Sequence, residues 1–245
     1  MMNVFVREIG TENISQLTFD TLRSVYGFFW ANNDRILYIK DAGGDENMKL
    51  FGVNKDGTGL KALADFPKVR AEMIDDLPDI DEYVIIGLNK RDPRLFDPYR
   101  LDINTGELTM LAENPGNIVG WMTDHNGELR VAFAVVEGVN SSILYRDNEK
   151  EPFREILKTT FKENMSPQFF TFDNKKLYAV SNLGRDKTAA VIFNPETSKE
   201  DTILYENQDF DVDQLVYSRA RKTLLAARYT SWKRERFFFD SEFKA

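Results

Sequence analysis

The stretch Asn32-Asn33-Asp34-Arg35-Ile36-Leu37-Tyr38-Ile39, a polar turn followed by a short apolar run, decides the fold because it has four counterparts further along. The apolar part recurs as Tyr83-Val84-Ile85-Ile86, Leu129–Ala134, Leu177-Tyr178-Ala179-Val180 and Leu224-Leu225-Ala226-Ala227. These runs start at 36, 83, 129, 177 and 224, spacings of 47, 46, 48 and 47 residues. So even a period is the mark of a repeat architecture. Outward on the N-terminal side lie an aromatic or apolar strand and a polar turn. Examples are Phe28-Phe29-Trp30, Trp121 before Asp124-His125-Asn126-Gly127, Phe169-Phe170 before Asp173-Asn174-Lys175, and Val216-Tyr217 before Arg219–Lys222.

Outward on the other side, a third strand reads Lys49–Val53, Tyr99–Ile103, Ile143–Arg146, Ala189–Phe193 and Arg236–Phe239. Turns such as Asn54-Lys55-Asp56-Gly57, Asn104-Thr105-Gly106 and Asn194-Pro195-Glu196-Thr197 follow, built from residues that tolerate positive φ. A fourth strand closes the unit, as in Leu108–Leu111 and Thr202–Tyr205. Four short strands per period predict an all-β fold, a β-propeller of four-stranded antiparallel blades. No stretch carries a sustained 3.6-residue apolar stripe.

The ends predict partial blades. Asn3–Ile9 and Ile14–Thr18 read as the third and fourth strands of one blade, Leu215–Phe239 as the first three strands of another. The expectation is one propeller domain over residues 1–245, with about five blades: four whole and two partial. Either the partial blades combine into a fifth by strand exchange, or the chain is cut from a larger propeller and leaves open strand edges.

Composition narrows the chemistry. The chain has 245 residues, 42% hydrophobic and 29% charged, with a formal charge of −8, which reads as a soluble globular protein. With no cysteine, disulfides, thiolate metal sites and cysteine nucleophiles are excluded. A lone histidine, His125, excludes multi-histidine centres and makes a Ser-His-Asp triad hard to build. The net negative charge argues against nucleic acid as a partner. No apolar run approaches the roughly 20 residues that span a bilayer, so no membrane partner is expected either. Residues 1–10 lack the basic-then-apolar pattern of a signal peptide; if Met1 is the natural start, the expected location is the cytoplasm.

Several motifs have plain structural readings. Gly57-x-Gly59-x-x-Ala62 fits a dinucleotide fingerprint only in letters, because it falls in a hairpin turn with no helix to follow. His125 reads as an exposed turn histidine. The acidic residues Asp75, Asp76, Asp79, Asp81 and Glu82 lack calcium-loop spacing and read as a solvated loop between blades. No cofactor or metal is expected. Three sequons, at Asn13, Asn140 and Asn164, carry no meaning without a secretory signal.

The loops between second and third strands are richer. They read Asp41–Asn47, Asn89–Pro93, Glu137–Asn140, Asn182–Asp186 and Thr230–Arg234, and in a propeller they emerge on one face. Several set Arg or Lys beside Asp or Glu and Gly, a composition suited to another domain or a charged ligand. Any propeller also needs polar loops, so the pattern alone does not decide. Charge is uneven as well: residues 215–245 carry 8 basic and 3 acidic groups.

Tyr26-Gly27-Phe28-Phe29-Trp30, the Asp41–Asn47 loop, Asn114-Pro115-Gly116-Asn117, Trp121–Gly127 and Ser181–Asp186 together resemble the propeller domain of prolyl oligopeptidase family serine peptidases. The likeness is strongest to the bacterial acylaminoacyl-peptidase and dipeptidyl-peptidase-like branch and runs from about residue 3 to about 243. It implies a non-catalytic part that covers an active site, limits entry to short peptides and offers loops near the substrate N-terminus. The α/β-hydrolase domain of such a parent chain and a peptide substrate are the implied partners. That family's propellers usually have seven or eight blades, and their catalytic triad lies in the hydrolase domain. Nothing in this chain reads Gly-x-Ser-x-Gly, so no catalytic residue carries over. The expected substrate- or domain-facing residues are Asp41, Gly44, Asp45, Glu46, Asn47, Lys90, Arg91, Asn182, Arg185 and Asp186. The alternative is a free-standing five-bladed module that binds a protein or peptide.

Overall fold

Each 47-residue period folds into an antiparallel meander because its turns supply the left-handed residues that hairpins need. The computed structural model describes residues 1–244. It divides into two compact units, Met1–Gly116 and the chain from Asn117 onward.

The first unit opens with a hairpin of β1 (Phe5–Arg7) and β2 (Ile14–Gln16), a two-stranded sheet. A four-stranded sheet follows in chain order: β3 (Gly27–Trp30), β4 (Arg35–Lys40), β5 (Lys49–Asn54) and β6 (Lys61–Ala64). The next is β7 (Ala71–Asp75), β8 (Tyr83–Asp92), β9 (Leu95–Asp102) and β10 (Leu108–Met110).

The second unit holds two more four-stranded sheets. They are β11 (Ile118–Thr123), β12 (Leu129–Val136), β13 (Asn140–Tyr145) and β14 (Arg154–Thr159), then β15 (Met165–Phe170), β16 (Leu177–Ser181), β17 (Ala189–Asn194) and β18 (Lys199–Tyr205). A three-stranded sheet of β19 (Val212–Ser218), β20 (Thr223–Thr230) and β21 (Arg234–Phe238) ends the strands, followed by one helical turn, α1 (Ser241–Lys244). Four whole blades and two partial ones are therefore present, as the period predicts.

The apolar runs are continuous, rather than alternating, because the second strand of a blade is buried on both faces. In β4, Ile36 and Tyr38 pack with Val4, Leu17, Val25 and Val53, while Leu37 points the other way, into a cluster with Val84, Ile86 and Leu101. In β16, Leu177 and Ala179 join the cluster of Val131, Tyr145 and Phe193, while Val180 faces Val212 and Leu215. A strand between two blades has no solvent face to make polar.

Two local expectations need correction. Residues 76–82 do not link blades: they join β7 to β8 within one blade, and Asp75 itself ends β7. His125 is half-buried rather than exposed; its ring stacks on Phe172 at 5.1 Å, and its Nε2 lies 2.9 Å from the Phe170 carbonyl oxygen.

Candidate functional site

Gly43, Gly44 and Glu46 adopt φ of +66°, +89° and +57°, which folds the Asp41–Asn47 loop tightly between β4 and β5. Asp41 turns inward and is buried. Arg23 grips it as a fork, Nε donating to Oδ1 at 2.7 Å and Nη2 to Oδ2 at 2.6 Å. Those bonds hold the Asp41 carboxyl below the usual carboxylate range. Gly44 lies over the same guanidinium, where a Cβ would sit 3.5 Å from Arg23 Nη1. Asp45 closes its own turn by accepting from the Asn47 side chain and backbone, both at 3.1 Å; the side-chain bond is the main cause of its lowered pKa. Glu46 is exposed. A cavity of about 270 Å³ beside the loop is lined by Asp20, Arg23, Lys40, Asp41, Lys49 and Asp65. Its lysines are committed to ion pairs, Lys40 with Asp20 and Lys49 with Asp65.

The second blade departs from expectation. Asn89–Asp92 is strand, not loop, because β8 runs on to Asp92 and β9 begins at Leu95, leaving Pro93 and Arg94 as the turn. Polar residues persist in this strand because each finds a partner. Asn89 accepts from the Arg70 amide at 2.6 Å and donates to the Pro93 carbonyl at 2.9 Å. Arg91 forks onto the buried Asp97 at 3.1 and 3.0 Å and donates to the Asn114 carbonyl at 2.7 Å. The Lys90 ammonium stands 4.4 Å from the centre of the Phe66 ring.

In the second unit, Asn182 ties its loop to the start of β15 through a reciprocal pair of bonds with the Asn164 backbone, at 3.0 and 2.6 Å. Arg185 donates to the Ser181 carbonyl at 3.0 Å and pairs with Glu200 on β18. Asp186 is exposed, with Lys187 at 3.2 Å. Each of the three loop regions thus repeats one device: an arginine is locked to an acid of its own unit, which fixes the backbone and leaves a neighbouring charge outward. Asp41, Arg91 and Arg185 serve the lock; Glu46, Lys90 and Asp186 face out.

One further cluster escaped sequence reasoning. A cavity of about 780 Å³ on the last sheet is lined by Asp213, Gln214, Arg228, Thr230, Arg234 and Arg236, among others. Its only sequence signal is the basic excess of residues 215–245, which does not say that alternate residues of two paired strands share a face. Among the described residues no three His, Asp or Glu side chains come together as a metal site.

Four-stranded meanders repeated along the chain define a β-propeller fold. No family model matches the chain. It is 30% identical over 223 residues, 86% of its length, to dipeptidyl aminopeptidase BIII of Pseudoxanthomonas mexicana. It is 27% identical over 260 residues, 98% of its length, to dipeptidyl peptidase family member 6 of Caenorhabditis elegans. The chain spans about a third of these relatives, 31% and 35% of their lengths. Among solved structures, a prolyl endopeptidase superposes with a TM-score of 0.62 at 12% identity, over 93% of this chain and 36% of that one. An oligogalacturonate lyase in complex with manganese gives 0.53 at 14% identity, over 86% and 61%. At these identities the structures speak for the fold alone. The likeness to peptidase propellers stands as a resemblance: the chain folds as propeller-like blades and aligns over most of its length with part of two dipeptidyl peptidases.

Proposed function

We propose that the chain is the non-catalytic propeller of a serine peptidase, admitting short peptides to an α/β-hydrolase domain and positioning them there. The observation that carries this reading is the alignment of most of the chain with dipeptidyl peptidases while its residues fold as propeller blades. In this reading the Asp41–Asn47 and Asn182–Asp186 loops, with Lys90 and Arg91, face the hydrolase domain or the substrate. The Arg23–Asp41 and Arg185–Glu200 pairs keep the loops in shape, so little ordering remains to be done on binding. The outward carboxylates of Glu46 and Asp186 suit the α-ammonium of a peptide.

Acyl transfer needs a nucleophile, an oriented base and oxyanion donors. His125, the one imidazole, is stacked on Phe172 with its Nε2 2.9 Å from the Phe170 carbonyl oxygen, so that nitrogen is held by the fold. The purified chain is therefore expected to release no p-nitroaniline from Gly-Pro or Ala-Ala p-nitroanilide. Turnover that stays with the chain through successive columns, at constant specific activity, would overturn the reading.

A further inference from the structure

We propose that Asn126 is a site of spontaneous deamidation that the fold holds closed, so that its side-chain amide becomes a carboxylate only when the β11–β12 turn opens. The inference is independent of the peptidase reading. Asn126-Gly127 is the one Asn-Gly dipeptide in the sequence, and Asn126 is exposed. Asparagine followed by glycine deamidates most readily, because no side chain hinders the glycine nitrogen. That nitrogen attacks the asparagine Cγ and a C–N bond forms. The nitrogen's proton and the side-chain NH2 leave together as ammonia, and a succinimide ring results. Water then opens the ring to aspartate or isoaspartate. The net change is amide plus water to carboxylic acid plus ammonia, with no oxidant or cofactor consumed.

Ring closure needs the Gly127 nitrogen beside the Asn126 side chain, and the folded turn keeps it elsewhere. The Gly127 amide donates to the Asp124 carbonyl at 3.0 Å, which makes residues 124–127 a hydrogen-bonded β-turn. Neither His125 nor Asn126 has a positive φ, so the turn is type I. That type sets ψ of about 0° at Asn126, whereas closure needs the same bond rotated by about 120°. The bonds around the turn resist the rotation. Asp124 Oδ1 accepts the Asn126 and Glu128 amides at 2.9 and 3.1 Å, and the Asp124 amide donates to the Glu128 carbonyl at 2.8 Å. The His125 amide donates to Asn174 Oδ1 at 3.0 Å, in the β15–β16 turn. Asp124 is itself buried and held by Arg130 at 3.1 Å, so the acceptor does not follow the turn outward. Isoaspartate lengthens the main chain by one carbon, which takes the product out of register with these partners.

The test is peptide-mapping mass spectrometry of the full chain aged in mildly alkaline buffer, both folded and unfolded in guanidinium chloride. In the unfolded chain Asn126 is expected to convert faster than any other asparagine. In the folded chain its conversion is expected to be at least about tenfold slower, since the rate then follows local opening of the turn. Asn174→Gly keeps the positive φ of that position and removes the acceptor for His125. It is expected to raise the folded rate at least about threefold. Asp124→Ala removes more of the turn's bonds and is expected to raise it further; if that chain does not fold, Asn174→Gly carries the comparison. Equal rates in the folded and unfolded chain would overturn the proposal. So would unfolded-state conversion centred on another asparagine, or a folded rate unmoved by Asn174→Gly.

Discussion

A chain lacking residues 1–18 is expected to unfold about 10 °C or more below the full chain, a loss of about 3–6 kcal/mol. Composition alone makes the N-terminal segment look like a fringe: β1 and β2 are three residues each and pair only with one another. Their neighbours in the chain do the packing. Val4 and Leu17 are 1% and 3% exposed and sit with Val25 against Ile36, Tyr38 and Val53 of the first whole blade. Burying an aliphatic side chain of this size stabilises by about 1.5–3 kcal/mol, so these two account for the expected loss. Polar ties hold the segment in register. The Val4 amide donates to Thr18 Oγ1 at 2.9 Å, Thr18 Oγ1 to Asn3 Oδ1 at 2.8 Å, and the Val25 amide to the Met2 carbonyl at 2.9 Å. Thermal unfolding followed by far-ultraviolet circular dichroism reads the shift. A midpoint moved by no more than a degree or two would mean that the hairpin is frayed in solution.

Asp124→Ala is expected to cost about 3–5 kcal/mol, because it strands a buried cation. Arg130 and Asp124 are both buried, and the pair closes the turn between β11 and β12. Arg130 Nη1 donates to Asp124 Oδ2 at 3.1 Å and to the Asn174 carbonyl at 2.7 Å, while Nε reaches the Arg146 carbonyl at 3.3 Å. Its guanidinium also bonds the Tyr145 hydroxyl and stands 4.8 Å from the Phe170 ring centre. One arginine thereby joins the third whole blade to the fourth. Asp124 Oδ1 accepts the Asn126 and Glu128 amides at 2.9 and 3.1 Å, so the substitution also opens the turn. Adding Arg130→Met to Asp124→Ala is expected to recover part of the loss, since the double variant leaves no unpaired buried charge. Urea denaturation midpoints of four chains, the parent, Asp124→Ala, Arg130→Met and the double variant, measure both effects. A loss below about 1 kcal/mol for Asp124→Ala, or a strictly additive double variant, would contradict this account of the pair.

The blade period was legible because second strands lie between two packed faces and cannot alternate with polar residues. Where that logic lapses, the reading fails. β7 is Ala-Glu-Met-Ile-Asp and buries little beyond Ala71, so it lacks the apolar signature, and the acidic residues after it read as a link between blades. The strand character of Asn89–Asp92 was hidden because its polar side chains are satisfied by groups outside the strand, Arg70, Asp97 and Asn114. His125 was placed in its turn, but its burial depends on Phe172 and Tyr217, which no local pattern brings near. The loop residues were found as charged pairs in sequence. Their arginine locks were not, since Arg23 precedes Asp41 by a whole hairpin and Glu200 lies two strands from the loop that holds Arg185. The cluster on the last sheet needed strand register, because Arg228 and Arg236 are eight residues apart and become neighbours only across the β20–β21 pair.

The central claim is that these blades serve a hydrolase domain, and the most direct measurement is the nucleotide sequence of the source DNA on both sides of this reading frame. The account predicts an uninterrupted frame that runs on into a Gly-x-Ser-x-Gly segment, with an aspartate and a histidine downstream in triad order. Stop codons immediately outside Met1 and Ala245 would contradict it.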